Sequence, residues 1–140
     1  MNLARVVICI ALVFSISTQA MALEKEYEKL YKQGVEANKK GNLDEAIRCY
    51  SRAIALKPDS SPLFYVRGRA FSQNGEYDKA IADFSKAVAL RPDYAEAYNH
   101  RGVNQIGKGE MQKAMADFRK ACESGSDNGC ANVKKFREGK

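Results

Sequence analysis

The stretch Gly41-Asn42-Leu43-Asp44-Glu45-Ala46-Ile47-Arg48-Cys49-Tyr50-Ser51-Arg52-Ala53 carries the information that decides the fold. Leu43, Ala46, Ile47, Tyr50, Ala53 and Ile54 fall at i, i+3, i+4, i+7, i+10 and i+11, one face of an α-helix. Gly41-Asn42 punctuates its start, with Asn42 as cap and Glu45 three residues on. The pattern recurs at Gly75 to Ala87 and at Gly109 to Ala121, each time shifted by 34 residues. At that shift Gly34, Gly68 and Gly102 coincide, as do Ala46, Ala80 and Ala114, and Tyr50, Phe84 and Phe118. Ala53, Ala87 and Ala121 form another column, and Leu30, Phe64 and Tyr98 an aromatic-apolar one. Pro58 and Pro92 recur between units, with Ser126 in the third place. A fixed period of this length is the mark of a repeat architecture, in which each unit buries its apolar face against its neighbours.

Working outward, each unit holds two amphipathic stretches. The sequence predicts helices near 24–40, 43–56, 61–74, 77–90, 95–108 and 111–124, and no segment alternates with the period of a strand. Gly34 and Ala46 are small where the two helices of a hairpin must cross. Ser61-Pro62 opens the third helix, and Asp93 with Glu96 repeats the capping arrangement before the fifth. Asp127 is placed to cap a seventh helix, about 127–138, whose Cys130, Val133 and Phe136 would close the last hairpin against water.

The 34-residue period and these columns resemble the tetratricopeptide repeat, with copies at 27–60, 61–94 and 95–128. The resemblance implies an all-α fold: three tandem helix-turn-helix hairpins plus a C-terminal capping helix, in a short right-handed solenoid occupying 23–140. It also implies a concave groove lined by the first helix of each hairpin, which binds a peptide segment of a partner protein. The residues placed there are Tyr31, Val35 and Asn38 in the first unit, Tyr65 and Arg69 in the second, and Asn99, His100 and Val103 in the third. One family mode, the clamp for chaperone C-terminal carboxylates, is excluded. Its five Lys, Asn and Arg positions are held here by Tyr31, Val35, Val66, Glu96 and His100.

The first 22 residues read as a secretory signal peptide: Arg5, an apolar run from Val6 to Ile16, then a small-residue site ending at Ala20-Met21-Ala22. The competing reading is an uncleaved anchor, but the run is short against the roughly 20 residues that span a bilayer. Cleavage after Ala22 predicts a periplasmic or secreted protein. Export argues against a nucleic-acid partner for the net charge of +6, whose Lys and Arg are interleaved with Glu and Asp along the helices. The remainder of the chain holds no apolar stretch long enough to span a bilayer.

Catalysis is not expected. His100 is the single histidine, and no nucleophile–base pair, metal-ligand set or phosphate loop occurs, so neither cofactor nor metal is predicted. Cys122 and Cys130, eight positions apart, can either bridge in an oxidising compartment or remain two buried thiols. The segment Ala121 to Cys130 resembles the Sel1-like, cysteine-rich bacterial repeats, and that resemblance implies the disulfide. Cys49 shares a column with Asp83 and Asp117, read as facing outward, which predicts an exposed or half-exposed thiol. The sequence reading is therefore a protein-interaction adaptor. Two alternatives stand beside it: a structural protein whose groove is filled by a second copy in a homodimer, and an accessory subunit of an exported enzyme or assembly complex. N-terminal sequencing of the exported protein should begin at Leu23; retention of Met1 would remove the basis for export.

Overall fold

The computed structural model describes residues 3–139, with side chains from residue 15 onward. Among these residues there are seven helices and no strand: α1 (Leu3–Lys39), α2 (Leu43–Leu56), α3 (Ser61–Gln73), α4 (Tyr77–Leu90), α5 (Ala95–Gly107), α6 (Met111–Glu123) and α7 (Asp127–Arg137). They pair as α1/α2, α3/α4 and α5/α6, each hairpin packs on the next, and α7 packs on α6 and α5. The helical solenoid expected from the period is the fold observed.

The hairpin turns show why glycine recurs. Gly41, Gly75 and Gly109 each have φ of 76°, a left-handed conformation that a Cβ disfavours. The residue after each glycine donates its N–H back across the helix end, Asn42 to the Ala37 carbonyl, Glu76 to Phe71 and Glu110 to Gln105, at 2.8–2.9 Å. Gly125, with φ of 94°, makes the same closure between α6 and α7, where Ser126 N–H donates to the Ala121 carbonyl at 2.9 Å. The last connection is thus an intra-hairpin turn rather than the proline-containing link used after α2 and α4, and it folds α7 directly back onto α6. Cys122 and Cys130 are bonded to each other with their Cα atoms 4.5 Å apart, fixing that fold-back. Gly129 permits it, since a Cβ there would lie 2.6 Å from the Ala121 Cβ.

Two caps differ from expectation. Asn42 accepts from the Glu45 N–H at 3.3 Å, as the sequence predicts. At α5, however, Tyr94 occupies the cap position without a side-chain bond, and Asp93 lies outside the helix. At α7 the cap is Ser126, whose hydroxyl accepts from the Gly129 N–H at 3.1 Å, because the Gly125 turn delivers the chain one residue before Asp127.

Within each hairpin an aromatic ring of the second helix presses on a glycine of the first. A Cβ on Gly34 would meet the Tyr50 ring at 2.5 Å, on Gly68 the Phe84 ring at 3.0 Å, and on Gly102 the Phe118 ring at 2.7 Å. Ala46, Ala80, Ala114, Ala53, Ala87 and Ala121 are fully buried around these contacts. Helix α1 starts at Leu3 rather than near residue 24, so residues 3–22 continue the first helix. Side chains 15–25 are exposed. Packing begins where the sequence reading started the helix: Lys57 pairs with Glu24 at 2.7 Å and lies 3.8 Å over the Tyr27 ring, and Arg52 reaches Glu26 at 3.4 Å.

The column read as outward is buried. Asp83 and Asp117 are each only 6% exposed. Arg67 donates twice to Asp83, at 2.7 and 2.8 Å, and once to the Ser51 hydroxyl at 3.0 Å. Arg101 repeats this with Asp117, at 2.7 Å for both bonds, and with Ser85 at 3.0 Å. Each arginine therefore ties its own hairpin together and joins it to the preceding one. In the first unit Cys49 takes the aspartate's place. It is 3% exposed, not half-exposed as expected, and its thiol points to Glu45 at 3.4 Å. Burial pushes that thiol's pKa up. Removing one partner of a buried ion pair strands the other, so Arg101→Ala should cost roughly 3 kcal/mol. Ser85→Ala should cost about 1 kcal/mol. Urea midpoints of the two variants test the order; equal losses would show that the Arg101–Asp117 pair adds nothing to the junction.

Candidate functional site

The first helices α1, α3 and α5 form one face of the stack. Its two ends carry hollows of different chemistry, separated by an aromatic wall. The hollow between α1 and α3 has a volume of about 340 Å³ and is lined by Tyr31, Val35, Asn38, Lys39, Tyr50, Val66 and Arg69. Val35 and Val66 provide apolar surface. Lys39 and Arg69 provide charge. The Tyr50 ring rises from α2 at 6.3 Å from Tyr31, and burial, reinforced by Tyr31, raises its phenol pKa to about 12.

The wall is built from α3, α4 and α5. The Tyr65 ring centroid lies 4.9 Å from Tyr94, 6.0 Å from Phe84 and 5.6 Å from His100, and the Arg69 guanidinium lies 5.8 Å from the Tyr65 ring. His100 also stacks on Phe84 at 5.7 Å. Its burial, helped by the positive charge of Arg69, holds the imidazole pKa below the usual histidine range.

The second hollow, about 400 Å³, lies at the C-terminal end between Ile106, Met111, Phe118, Asn132, Lys135 and Phe136. It is largely apolar, and Val103, Ile106 and Met111 stand 47%, 37% and 48% exposed.

The eight residues assigned to the groove from sequence thus divide. Tyr31, Val35, Asn38 and Arg69 share the first hollow. Tyr65 and His100 form the wall; Tyr65 packs against the central core cluster, so it is not the free lining residue expected. Val103 is exposed on α5. Asn99 is only 8% exposed, and its side-chain oxygen accepts from the Asn132 amide at 2.8 Å. Helix α7 covers it, which removes it from the accessible face. Lys39, Tyr50, Met111 and Phe136 were not anticipated. Met111 had a signal: it shares a column with Leu43 and Tyr77, apolar in all three units. Among the described residues no three His, Cys, Asp or Glu side chains converge as a metal site, and no helix is long and apolar enough to cross a membrane.

Paired helices at a fixed period, stacked only on their neighbours and presenting first helices along one face, define a helical-repeat protein-interaction module. Residues 34–75 and 68–105 match a family model described as TPR repeat, and residues 95–127 match one described as Tetratricopeptide repeat. The chain belongs to the tetratricopeptide-repeat family. No curated protein sequence matches it. Among solved structures it is similar to the first TPR of Spaghetti (RPAP3) bound to the HSP90 peptide SRMEEVD, with 25% identity and a TM-score of 0.76 over 82% of this chain and 93% of that one. It is similar in fold to the Arabidopsis OM64 TPR domain, with 23% identity and a TM-score of 0.79 over 84% of this chain and 99% of that one. It also resembles MamA, with 32% identity and a TM-score of 0.68, covering 70% of this chain and 57% of MamA.

The wall carries a pH dependence. His100 takes up its proton more readily in the unfolded chain, where its pKa is about 6.5, than in the fold. Its contribution is therefore complete above about pH 6.5 and is lost as the pH falls toward the lower folded value. Thermal melts between about pH 7.5 and 5 should show the wild-type midpoint falling more steeply than that of His100→Gln; parallel curves would show that the histidine titrates alike in both states.

Proposed function

We propose that this chain is an exported adaptor whose first-helix face captures an extended segment of a partner polypeptide. One observation carries this reading: the face has an open hollow at each end, one cationic and one apolar, on helices held rigid by the hairpin packing. An extended segment can place alternate side chains in such hollows while its backbone crosses the wall between them. Exposed apolar residues gathered around one hollow favour contact with a partner over a solvated surface.

The use of the same fold in Spaghetti (RPAP3), which holds an HSP90 peptide, supports peptide capture in general. The particular ligand differs, because Tyr31, Val35, Val66, Glu96 and His100 replace the charged and amide groups of the chaperone clamp. Export rests on the three-part leader and accords with the Cys122–Cys130 bond, which persists in an oxidising compartment. The bond and its spacing also support a Sel1-like closing unit.

Val103→Asp and Ile106→Asp place charge in exposed apolar positions and should leave the fold intact by circular dichroism. Each should reduce recovery of the endogenous partner by about tenfold or more, on the order of 1–3 kcal/mol. Lys86→Glu on α4 should leave recovery unchanged. The reverse pattern, with Lys86→Glu losing the partner and the α5 variants keeping it, would place binding on the second helices.

A further inference from the structure

The hollow between α1 and α3 is more specific than a peptide groove requires. It contains two cations and no carboxylate: Lys39 and Arg69 line it with Asn38, Tyr31, Tyr50, Val35 and Val66. Both cations are solvent-exposed, whereas the half-buried cations elsewhere are matched. Arg67 and Arg101 hold Asp83 and Asp117, Lys57 holds Glu24, and Lys108 holds Asp78 and Glu110. Lys39 and Arg69 form no ion pair among the described residues. The Arg69 guanidinium lies 5.8 Å from the Tyr65 centroid and hydrogen-bonds the Tyr65 phenol.

The carboxylates around the hollow are engaged or face elsewhere. Glu36 on α1 pairs with Lys40 at 3.3 Å. Glu96 on α5 is exposed and lies outside the lining of the hollow. The hollow is therefore a positive, partly apolar recess whose donors meet no carboxylate in the lining: a guanidinium, an ammonium, the Asn38 amide and two phenols.

We propose that the captured segment presents a glutamate side chain, seated between α1 and α3 with its carboxylate on Arg69. This rests on the peptide-capture reading and names the chemistry that the α1/α3 end selects. Glutamate suits both parts of the recess. Its two methylenes pack between Val35 and Val66, and its carboxylate accepts from the planar Arg69 fork, with Lys39 and Asn38 within the same lining. A phosphate group would set oxygens against the two valines and lose that apolar contact. The arrangement is not the chaperone clamp displaced by a few residues, because that ligand ends in a main-chain carboxylate and its clamp positions are apolar or anionic here at Val35, Val66 and Glu96.

The probes are two acetylated and amidated peptides, Ala-Leu-Glu-Leu-Ala and Ala-Leu-Gln-Leu-Ala, so that no terminal carboxylate is present. Each is titrated into the full chain while the backbone amides of Asn38, Val66 and Arg69 are followed by NMR. The Glu peptide should saturate at least about fivefold earlier than the Gln peptide, and raising the salt concentration should erase the difference. Arg69→Gln should bring the Glu peptide to the level of the Gln peptide. Arg119→Gln, which removes an exposed cation beside the disulfide, should not. If both peptides shift these amides equally, the glutamate assignment is overturned and the groove reading stands. If neither peptide shifts them, while Val103→Asp still loses the natural partner, the site lies at the apolar end and the α1/α3 hollow is not a recognition site. If neither shifts them and Val103→Asp retains the partner, the groove reading falls with it.

Discussion

The contact on which the structure depends is an aromatic ring pressed against a glycine. Tyr50 on Gly34, Phe84 on Gly68 and Phe118 on Gly102 leave no room for a Cβ, so each pair of helices approaches closely. Close-packed interiors tolerate little change in such a contact, which makes every hairpin the same rigid unit. Identical units stacked in one direction bring α1, α3 and α5 to one side. The face, its two hollows and the wall between them all follow from that repetition.

A second repeated device connects the units. The arginines at 67 and 101 each satisfy an aspartate of their own hairpin and a serine of the preceding one. Apolar packing between helices is forgiving of small slides, whereas a bidentate guanidinium–carboxylate pair is directional. The ladder therefore fixes the register of one hairpin on the next. The first unit lacks it, since Gln33 and Cys49 replace arginine and aspartate. There α1 is held instead by pairs at its solvent edge, Glu24 with Lys57 and Glu26 with Arg52. The far end is closed by α7, turned back at Gly125 and bonded through Cys122 and Cys130.

These constraints divide the first-helix face chemically. The aromatic wall of Tyr65, Tyr94, Phe84 and His100 belongs as much to the core as to the surface, which sets the spacing between the two ends. The α1/α3 end keeps unmatched positive charge. At the other end α7 takes away Asn99 but adds Phe136 and Lys135, converting what would be an open hairpin edge into an apolar recess.

The sequence alone determined the helices, their pairing and the columns of the hairpin cores, because each rests on residues a few positions apart or on an exact 34-residue echo. The bounds of α2 to α6 fall within one residue of the periodic pattern, and Gly34, Ala46 and Tyr50 occupy the packing roles their recurrence indicated. What lay between units was not legible in the same way. Asp83 and Asp117 are charged, so a column holding them read as outward and took Cys49 with it. Their partners stand 16 residues away, on the neighbouring helix of the same hairpin, and only the crossing of the helices brings a guanidinium there to make burial tolerable. Asn99 likewise belonged to the accessible face by its position in the repeat, and lost that place because α7 folds over it from 33 residues downstream. Local periodicity fixes which way a side chain points from its own helix; the tertiary structure alone decides what waits there, water or another helix.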